Sequence, residues 1–140
     1  MQLYTKESID IDAPVSKVWE IVTKPSHIKQ WEDFVGDYGD DSPLEVGREI
    51  IWKDGEDHLK GMVTGLEPLT LIRVSFRDST WERAIPPEDF TYVLELFSTG
   101  EHTLATITKG DYKKIPHSEK IYTKAHESNE LAKIKKLAEK

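Results

Sequence analysis

Five short segments with alternating apolar and polar residues follow one another between positions 48 and 109. Alternation of this kind is typical of β-strands with one buried face, because successive side chains of a strand point to opposite sides. Turn-forming residues such as Asp54-Gly55 separate the segments, and the connections between them are mostly short. The pattern predicts an antiparallel sheet with strands at 48–53, 58–66, 70–77, 89–98 and 102–109.

The region before these strands predicts one further strand and two short helices. Residues 2–11 alternate as a half-buried strand, and Pro14 then opens a helix, since it fixes φ near the helical value. The apolar face of that helix is formed by Val15, Val18, Trp19 and Val22. A second short helical piece is expected over Ser26–Trp31, followed by a long loop over residues 32–47, which hold three Gly and four Asp.

The last part of the chain predicts one long helix over residues 118–140. This segment contains no Gly or Pro and is rich in Ala, Glu, Lys and Leu. Its apolar residues fall on two sides, with Leu131, Ile134, Leu137 and Ala138 on one of them. The helix therefore either crosses a curved surface or contacts different elements with its two halves.

Three stretches of the chain resemble the START-related superfamily. They are IDAPVSKVWEIVT at 11–23, IKQW at 28–31 and VGREI at 46–50, and within the superfamily they are most similar to the carboxy-terminal domain of the activator of Hsp90 ATPase. The resemblance implies an α+β helix-grip fold, in which a curved antiparallel sheet wraps a long carboxy-terminal helix. It also implies that the two short helices close one end of a cavity, and that residues 1–140 form a single domain.

Composition excludes several classes of function. A formal net charge of −7 disfavours nucleic acid as a partner, because the field of the protein repels phosphates. The absence of cysteine removes disulfides and thiolate chemistry, and the five histidines lack the spacing of a metal site. No nucleotide-binding glycine motif occurs, so no cofactor is expected. The polar amino terminus and the lack of a long apolar run argue against membrane insertion and predict a cytoplasmic protein.

The strands supply the candidate lining of the cavity. Alternation places Phe90, Tyr92, Leu94 and Leu96 on one face of their strand, which we take as the inner face. The same argument turns Trp52 and Phe76 inward on neighbouring strands. Aromatic and branched aliphatic groups of this kind favour an apolar or amphipathic ligand, although each residue could equally be part of an ordinary core.

The predicted terminal helix supplies candidate polar groups. Tyr122, His126 and Asn129 lie at i, i+4 and i+7, so they share one helix face and could point together into the cavity. Lys133 continues that face, and polar residues at this spacing more often mark a solvated side.

These observations predict a protein that binds a hydrophobic or amphipathic small molecule. The ligand-contacting residues would be Trp52, Phe76, Phe90, Tyr92, Tyr122, His126 and Asn129. One alternative is an enzyme of the cyclase or dehydratase kind, with His126 or Tyr92 as the proton donor; another is a protein-interaction module related to Hsp90 activation. The co-chaperones that give the group its name carry an additional domain for Hsp90, so a chaperone partner is not carried over to this chain.

Overall fold

A computed structural model describes residues 4–32, 36–54, 57–78, 90–110 and 129–140, with the side chains of 52–54, 57–59 and 76–78 left out of the description. Within these residues the main element is one seven-stranded antiparallel sheet in the order β1-β7-β6-β5-β4-β3-β2. The strands are β1 Thr5–Ile11, β2 Gly36–Asp37, β3 Glu49–Asp54, β4 Asp57–Glu67, β5 Leu71–Asp78, β6 Thr91–Thr99 and β7 His102–Gly110.

The sheet is a meander of consecutive strands, and β1 is added at its β7 edge. Strands β3 to β7 pair with their neighbours in the chain, as the short connections predict. Strand β1 joins the far edge of β7, with Thr5 opposite Lys109 and Ile11 opposite Thr103. The loop predicted over 32–47 is wrong in one detail, because Gly36–Asp37 forms β2 against β3; two residues are too few to produce a recognisable period.

The described residues form three helices: α1 Val15–Thr23, α2 Pro25–Ile28 and α3 Glu130–Ala138. Helices α1 and α3 pack on the inner face of the curled sheet, and α2 packs against α1. The apolar stripe of α1 buries Val18 and Val22, and Pro14 precedes its first turn, as the sequence predicts. After α2, the buried indole Nε1–H of Trp31 donates a hydrogen bond to the Ile21 carbonyl at 3.0 Å. This bond joins the segment after α2 to the end of α1.

The hydrophobic core lies between the sheet and the helices. Its largest members that are almost completely inaccessible to solvent come from α1, α3 and four strands: Ile11, Val18, Val22, Ile50, Val63, Leu94 and Ile134. Along β6 the inner-face residues Leu94 and Leu96 are buried, Glu95 between them is partly exposed, and Phe97 is exposed. The predicted inner face of this strand is therefore confirmed, and so is the α+β helix-grip architecture.

Helix α3 lies against β1, β7 and α1 through Leu131, Ile134 and Ala138, which are buried. Its far end is tied to the start of the chain, since Glu139 accepts a hydrogen bond from the Asp12 amide at 2.8 Å. Asn129 has the non-helical values φ −117° and ψ 16° and occupies the N-cap position, without a capping hydrogen bond from its side chain. The predicted helix is thus not continuous through position 129, and its part over 118–128 lies outside the described residues.

The loop between β2 and β3 is held by Arg48. Its guanidinium donates to the Tyr38 carbonyl at 2.7 Å and to Ser42 Oγ at 2.7 Å, and it pairs with Asp40 at 3.2 Å. Hydrogen bonds from Ser42, together with the charge of Arg48, hold the pKa of Asp40 below its usual value. The neighbouring Asp41 accepts a hydrogen bond from the Ser26 amide in α2 at 2.7 Å, so the loop is also attached to the helices.

Candidate functional site

One row of inward-facing residues crosses five strands of the sheet and changes character along its length. The register places Thr5, Lys109, Tyr92, Val74 and Val63 side by side on β1, β7, β6, β5 and β4. Val63 and Val74 are fully or nearly buried. We call these five residues the inner row. Because it is polar over β1, β7 and β6 and aliphatic over β5 and β4, the inner row is an amphipathic strip on the concave face.

The polar half of the inner row meets the first residue of α3. Lys109 Nζ lies 3.4 Å from Glu130 Oε1, and the hydroxyl of Tyr92 donates to the same oxygen at 3.4 Å. The Lys109 ammonium also stands 5.4 Å from the centre of the Tyr92 ring, within the range of a cation–π contact. We call Tyr92, Lys109 and Glu130 the polar cluster.

The polar cluster is mostly withdrawn from water. The side chains of Lys109 and Glu130 are 19% and 11% exposed, and Tyr92 contacts the hydrophobic core. Burial of a carboxylate is unfavourable unless it is paired, and here a cation and a hydroxyl face it. Its position in the first turn of α3 adds the favourable end of the helix dipole. The sheet and the helix therefore jointly stabilise the charge of Glu130.

The polar cluster combines one anion, one cation and one hydroxyl. Its formal charge is balanced, and it offers both hydrogen-bond donors and acceptors. Such a set suits a neutral oxygen-bearing group, for example a hydroxyl or a carbonyl, better than an isolated anion, which Glu130 would repel.

A depression of about 370 Å³ lies between β1 and α3 and is open to solvent. Its lining combines apolar and polar groups: Glu7, Ser8, Ile9, Asn129, Leu131 and Ala132. Asn129 and Leu131 flank Glu130 in the chain, and the lining of the depression includes no side chain of the polar cluster.

The structure describes three of the predicted ligand-contacting residues in full. Phe90 is buried, Tyr92 belongs to the polar cluster, and Asn129 lies at the rim of the depression with its side chain exposed. The backbones of Trp52 and Phe76 lie in β3 and β5, but their side chains are outside the description. Tyr122 and His126 fall outside the described residues altogether. The ligand-contacting roles of all seven residues stay predictions.

Two residues of the polar cluster escaped the sequence analysis. Lys109 has the same parity in β7 as the buried Thr103, Ala105 and Ile107, and this parity was the available signal. Glu130 gave no comparable signal, because an acidic residue near a helix start is ordinary on a solvated surface.

Within the described part of the chain, no group of three or more His, Asp or Glu side chains is arranged to hold a metal ion. No helix among the described residues is long and apolar enough to cross a membrane.

The architecture defines the class of protein: a curled antiparallel sheet closed by a carboxy-terminal helix, the helix-grip fold. A family profile described as "Activator of Hsp90 ATPase homolog 1-like protein" matches residues 12–139, so the chain belongs to this family. No match was found among curated proteins.

Solved structures share the fold at low sequence identity. The Aha1 dimer from Colwellia psychrerythraea is 18% identical, with a TM-score of 0.68 over 98% of this chain and 96% of that one. An HSP90 activator from Plasmodium falciparum is 15% identical, with a TM-score of 0.66 over 94% of this chain and 93% of that one. DynU16, from the dynemicin biosynthetic locus, is 20% identical, with a TM-score of 0.69; the match covers 95% of this chain but only 46% of DynU16.

Proposed function

We propose that the protein binds a hydrophobic or amphipathic small molecule between the inner face of the sheet and α3, with the polar end of the molecule at the polar cluster. The observation that carries the proposal is the inner row, whose polar half meets Glu130 and whose other half is aliphatic. A core needs no such gradient, and buried ionic pairs contribute little net stability compared with apolar packing. The pair Lys109–Glu130 is better explained as a group that orients a ligand.

The expected ligand has a neutral oxygen-bearing head and an apolar body. Burying about 300 Å² of apolar surface contributes roughly 7.5 kcal/mol before the cost of association, at about 25 cal/mol per Å². The cost of association offsets a substantial part of this free energy, so the affinity would depend on the hydrogen bonds made at the polar cluster. Tyr92 and Lys109 supply donors for a carbonyl oxygen, and Glu130 supplies an acceptor for a hydroxyl.

The proposal is tested first with Nile red, a neutral apolar dye with a carbonyl group that becomes fluorescent away from water. Titration with the purified protein is expected to give saturable fluorescence, and Lys109→Met and Tyr92→Phe should weaken binding at least fivefold. Lys136→Met is the matched control, because Lys136 is an exposed lysine of α3. Equal binding by Lys109→Met and Lys136→Met, or no saturable signal, would contradict the proposal.

A second experiment identifies the natural ligand. Molecules that stay bound through native purification are extracted and weighed by mass spectrometry, and then added back to the stripped protein. A true ligand stabilises the fold by RT ln(1 + [L]/Kd), which is about 2.7 kcal/mol at 100 Kd. Add-back should therefore raise the melting temperature of the wild type more than that of Lys109→Met.

An enzyme of the cyclase or dehydratase kind is the second candidate, and one observation favours it. The Tyr92 hydroxyl and the Glu130 carboxylate are 3.4 Å apart, so a proton could pass between them and a bound substrate. In that case Tyr92→Phe would lower turnover more than binding. Two of the structural neighbours are named as Aha1 or an HSP90 activator. A protein-interaction module related to Hsp90 activation stays an alternative from the sequence, and the cytoplasmic location stays a prediction.

A further inference from the structure

The outer face of the sheet carries a row of exposed apolar side chains, opposite to the face described above. Leu69, Phe97 and Leu104 are 43%, 62% and 38% exposed. Phe97 and Leu104 are direct partners on β6 and β7. The Leu96 amide donates to the Thr70 carbonyl at 2.7 Å, which continues the pairing of β6 into the turn that holds Leu69. We call Leu69, Phe97 and Leu104 the outer row.

Leu69 occupies a backbone conformation that disfavours leucine. Its φ is +65°, at the third position of the turn Glu67–Thr70, which is closed by a hydrogen bond from the Thr70 amide to the Glu67 carbonyl at 3.0 Å. Glycine or asparagine is usual there, because the Cβ of other residues is crowded by the backbone at this φ. The exposed side chain of Leu69 offsets little of this cost by burial. A leucine in this place therefore lowers the stability of the isolated protein.

Carboxylates surround the outer row. Asp10 lies opposite Leu104 on β1, and Glu95 lies two residues before Phe97 on the same face of β6. The turns on either side contribute Glu67 and Glu101, both exposed. The basic groups near the outer row are already engaged: Lys135 contacts Glu139 and the Asp10 carbonyl. His102 lies 3.5 Å from Asp12, and Arg73 donates to Thr64. The field over the outer row favours a partner with positive charges around its apolar residues.

The dimensions of the outer row select the shape of that partner. Neighbouring strands are about 4.8 Å apart, so three side chains in line across them span about 10 Å. In an α-helix, residues i and i+7 are about 10.5 Å apart on one face, with i+4 between them. An extended strand would turn alternate side chains away over the same distance. A helix laid across the strands can therefore contact all three members of the outer row.

We propose that the outer row docks the apolar face of a basic amphipathic helix from another protein. Leu69, Phe97 and Leu104 receive residues i, i+4 and i+7 of that helix. Lysine or arginine side chains beside them meet the carboxylates of Asp10, Glu67, Glu95 and Glu101. Burial of Leu69 in the complex offsets the backbone strain that the free protein carries.

The test uses a hydrocarbon-stapled, fluorescein-labelled helical peptide of about 14 residues, with leucines at i, i+4 and i+7 and lysines on the flanking positions. Binding to the full chain is followed by fluorescence anisotropy. The lysine peptide is expected to bind with a Kd of about 10–100 μM, and a peptide with glutamate in place of lysine at least tenfold more weakly. Equal binding of the two peptides, or no binding of the lysine peptide, would overturn the proposal.

Three variants of the protein locate the binding. Phe97→Ser should weaken the lysine peptide about tenfold, whereas Val46→Ser should leave it unchanged, since Val46 is a 63% exposed apolar residue of the β2–β3 loop. Leu69→Gly should weaken binding and at the same time raise the melting temperature, because glycine tolerates φ +65°. A purely structural role for Leu69 predicts no loss of binding.

Analytical sedimentation distinguishes self-association of the chain through the outer row from binding of a different protein there. The wild type is expected to be monomeric at micromolar concentration. A dimer that dissociates in Phe97→Ser would mean that the outer row is occupied by its own copy, and this would overturn the proposal. Equal peptide affinities of Phe97→Ser and Val46→Ser would do the same.

Discussion

Replacing Lys109 with methionine should destabilise the protein by about 2 kcal/mol. Methionine retains most of the length of lysine but leaves Glu130 without its cation, and the two side chains are 19% and 11% exposed. Exposed ion pairs contribute about 0–1 kcal/mol, while breaking a fully buried one costs about 3–5 kcal/mol. The 3.4 Å separation and the remaining Tyr92 hydroxyl place the cost between these limits.

The assay is urea unfolding of the wild type, Lys109→Met, Glu130→Gln and the double variant. A loss of about 2 kcal/mol corresponds to a decrease of about 6–8 °C in the melting temperature for a chain of this size. The double variant should be about 1–2 kcal/mol more stable than the sum of the single losses predicts, because no unpaired charge remains. Lys136→Met, the exposed control on α3, should change stability by less than about 0.5 kcal/mol.

Two results would refute the reasoning. If Lys109→Met and Lys136→Met lowered the free energy of unfolding by the same small amount, the partly buried Lys109–Glu130 pair would contribute no measurable stability. If the losses of the double variant were simply additive, the two side chains would not interact. Either result would remove the physical basis for a polar cluster at the start of α3.

Three further predictions concern the helices and the loop after β2. Trp31→Phe should lower the free energy of unfolding by about 1–2 kcal/mol, since the buried Ile21 carbonyl loses its 3.0 Å donor; urea unfolding measures this. Arg48→Lys should cost about 1 kcal/mol and speed amide exchange in the loop, because an ammonium cannot replace the several contacts of a guanidinium. The lowered pKa of Asp40 stabilises the fold at pH values above the unfolded pKa, and this stability is lost as pH falls through the folded pKa. Below about pH 4 the melting temperature should therefore fall less in Asp40→Asn, which has no carboxylate to be protonated beside Ser42.

The alternation in the strands was enough to predict the inner face of the sheet. In β6, Leu94 and Leu96 are buried as predicted, and Phe97 is exposed because its parity places it outside. A period of two fixes the face without knowledge of the tertiary structure, since one face of an antiparallel sheet is usually buried. The helix-grip fold and the family were implied by the resemblance of the stretches at 11–23, 28–31 and 46–50 to the START-related superfamily.

The polar cluster could not be predicted because it depends on long-range placement. Lys109 and Glu130 are 21 positions apart, from 109 to 130, and each alone resembles an ordinary surface residue. The helix boundary at Asn129 also gave little signal, since asparagine is tolerated in helices at small cost as well as favoured at their caps. The contact between Lys109 and Glu130 thus depends on how α3 packs against β7, which the sequence pattern does not show.

The pairing of β1 with β7 has a consequence for synthesis. Ser8 and Thr106, whose hydroxyls are 2.9 Å apart, are separated by 98 positions in the chain. Translation at about 5–20 residues per second leaves the first strand waiting for its neighbour for on the order of 5–20 s. During that interval Ile9 and Ile11 remain in water on an unpaired segment, so β1 is made well before β7 and is among the last strands to pair.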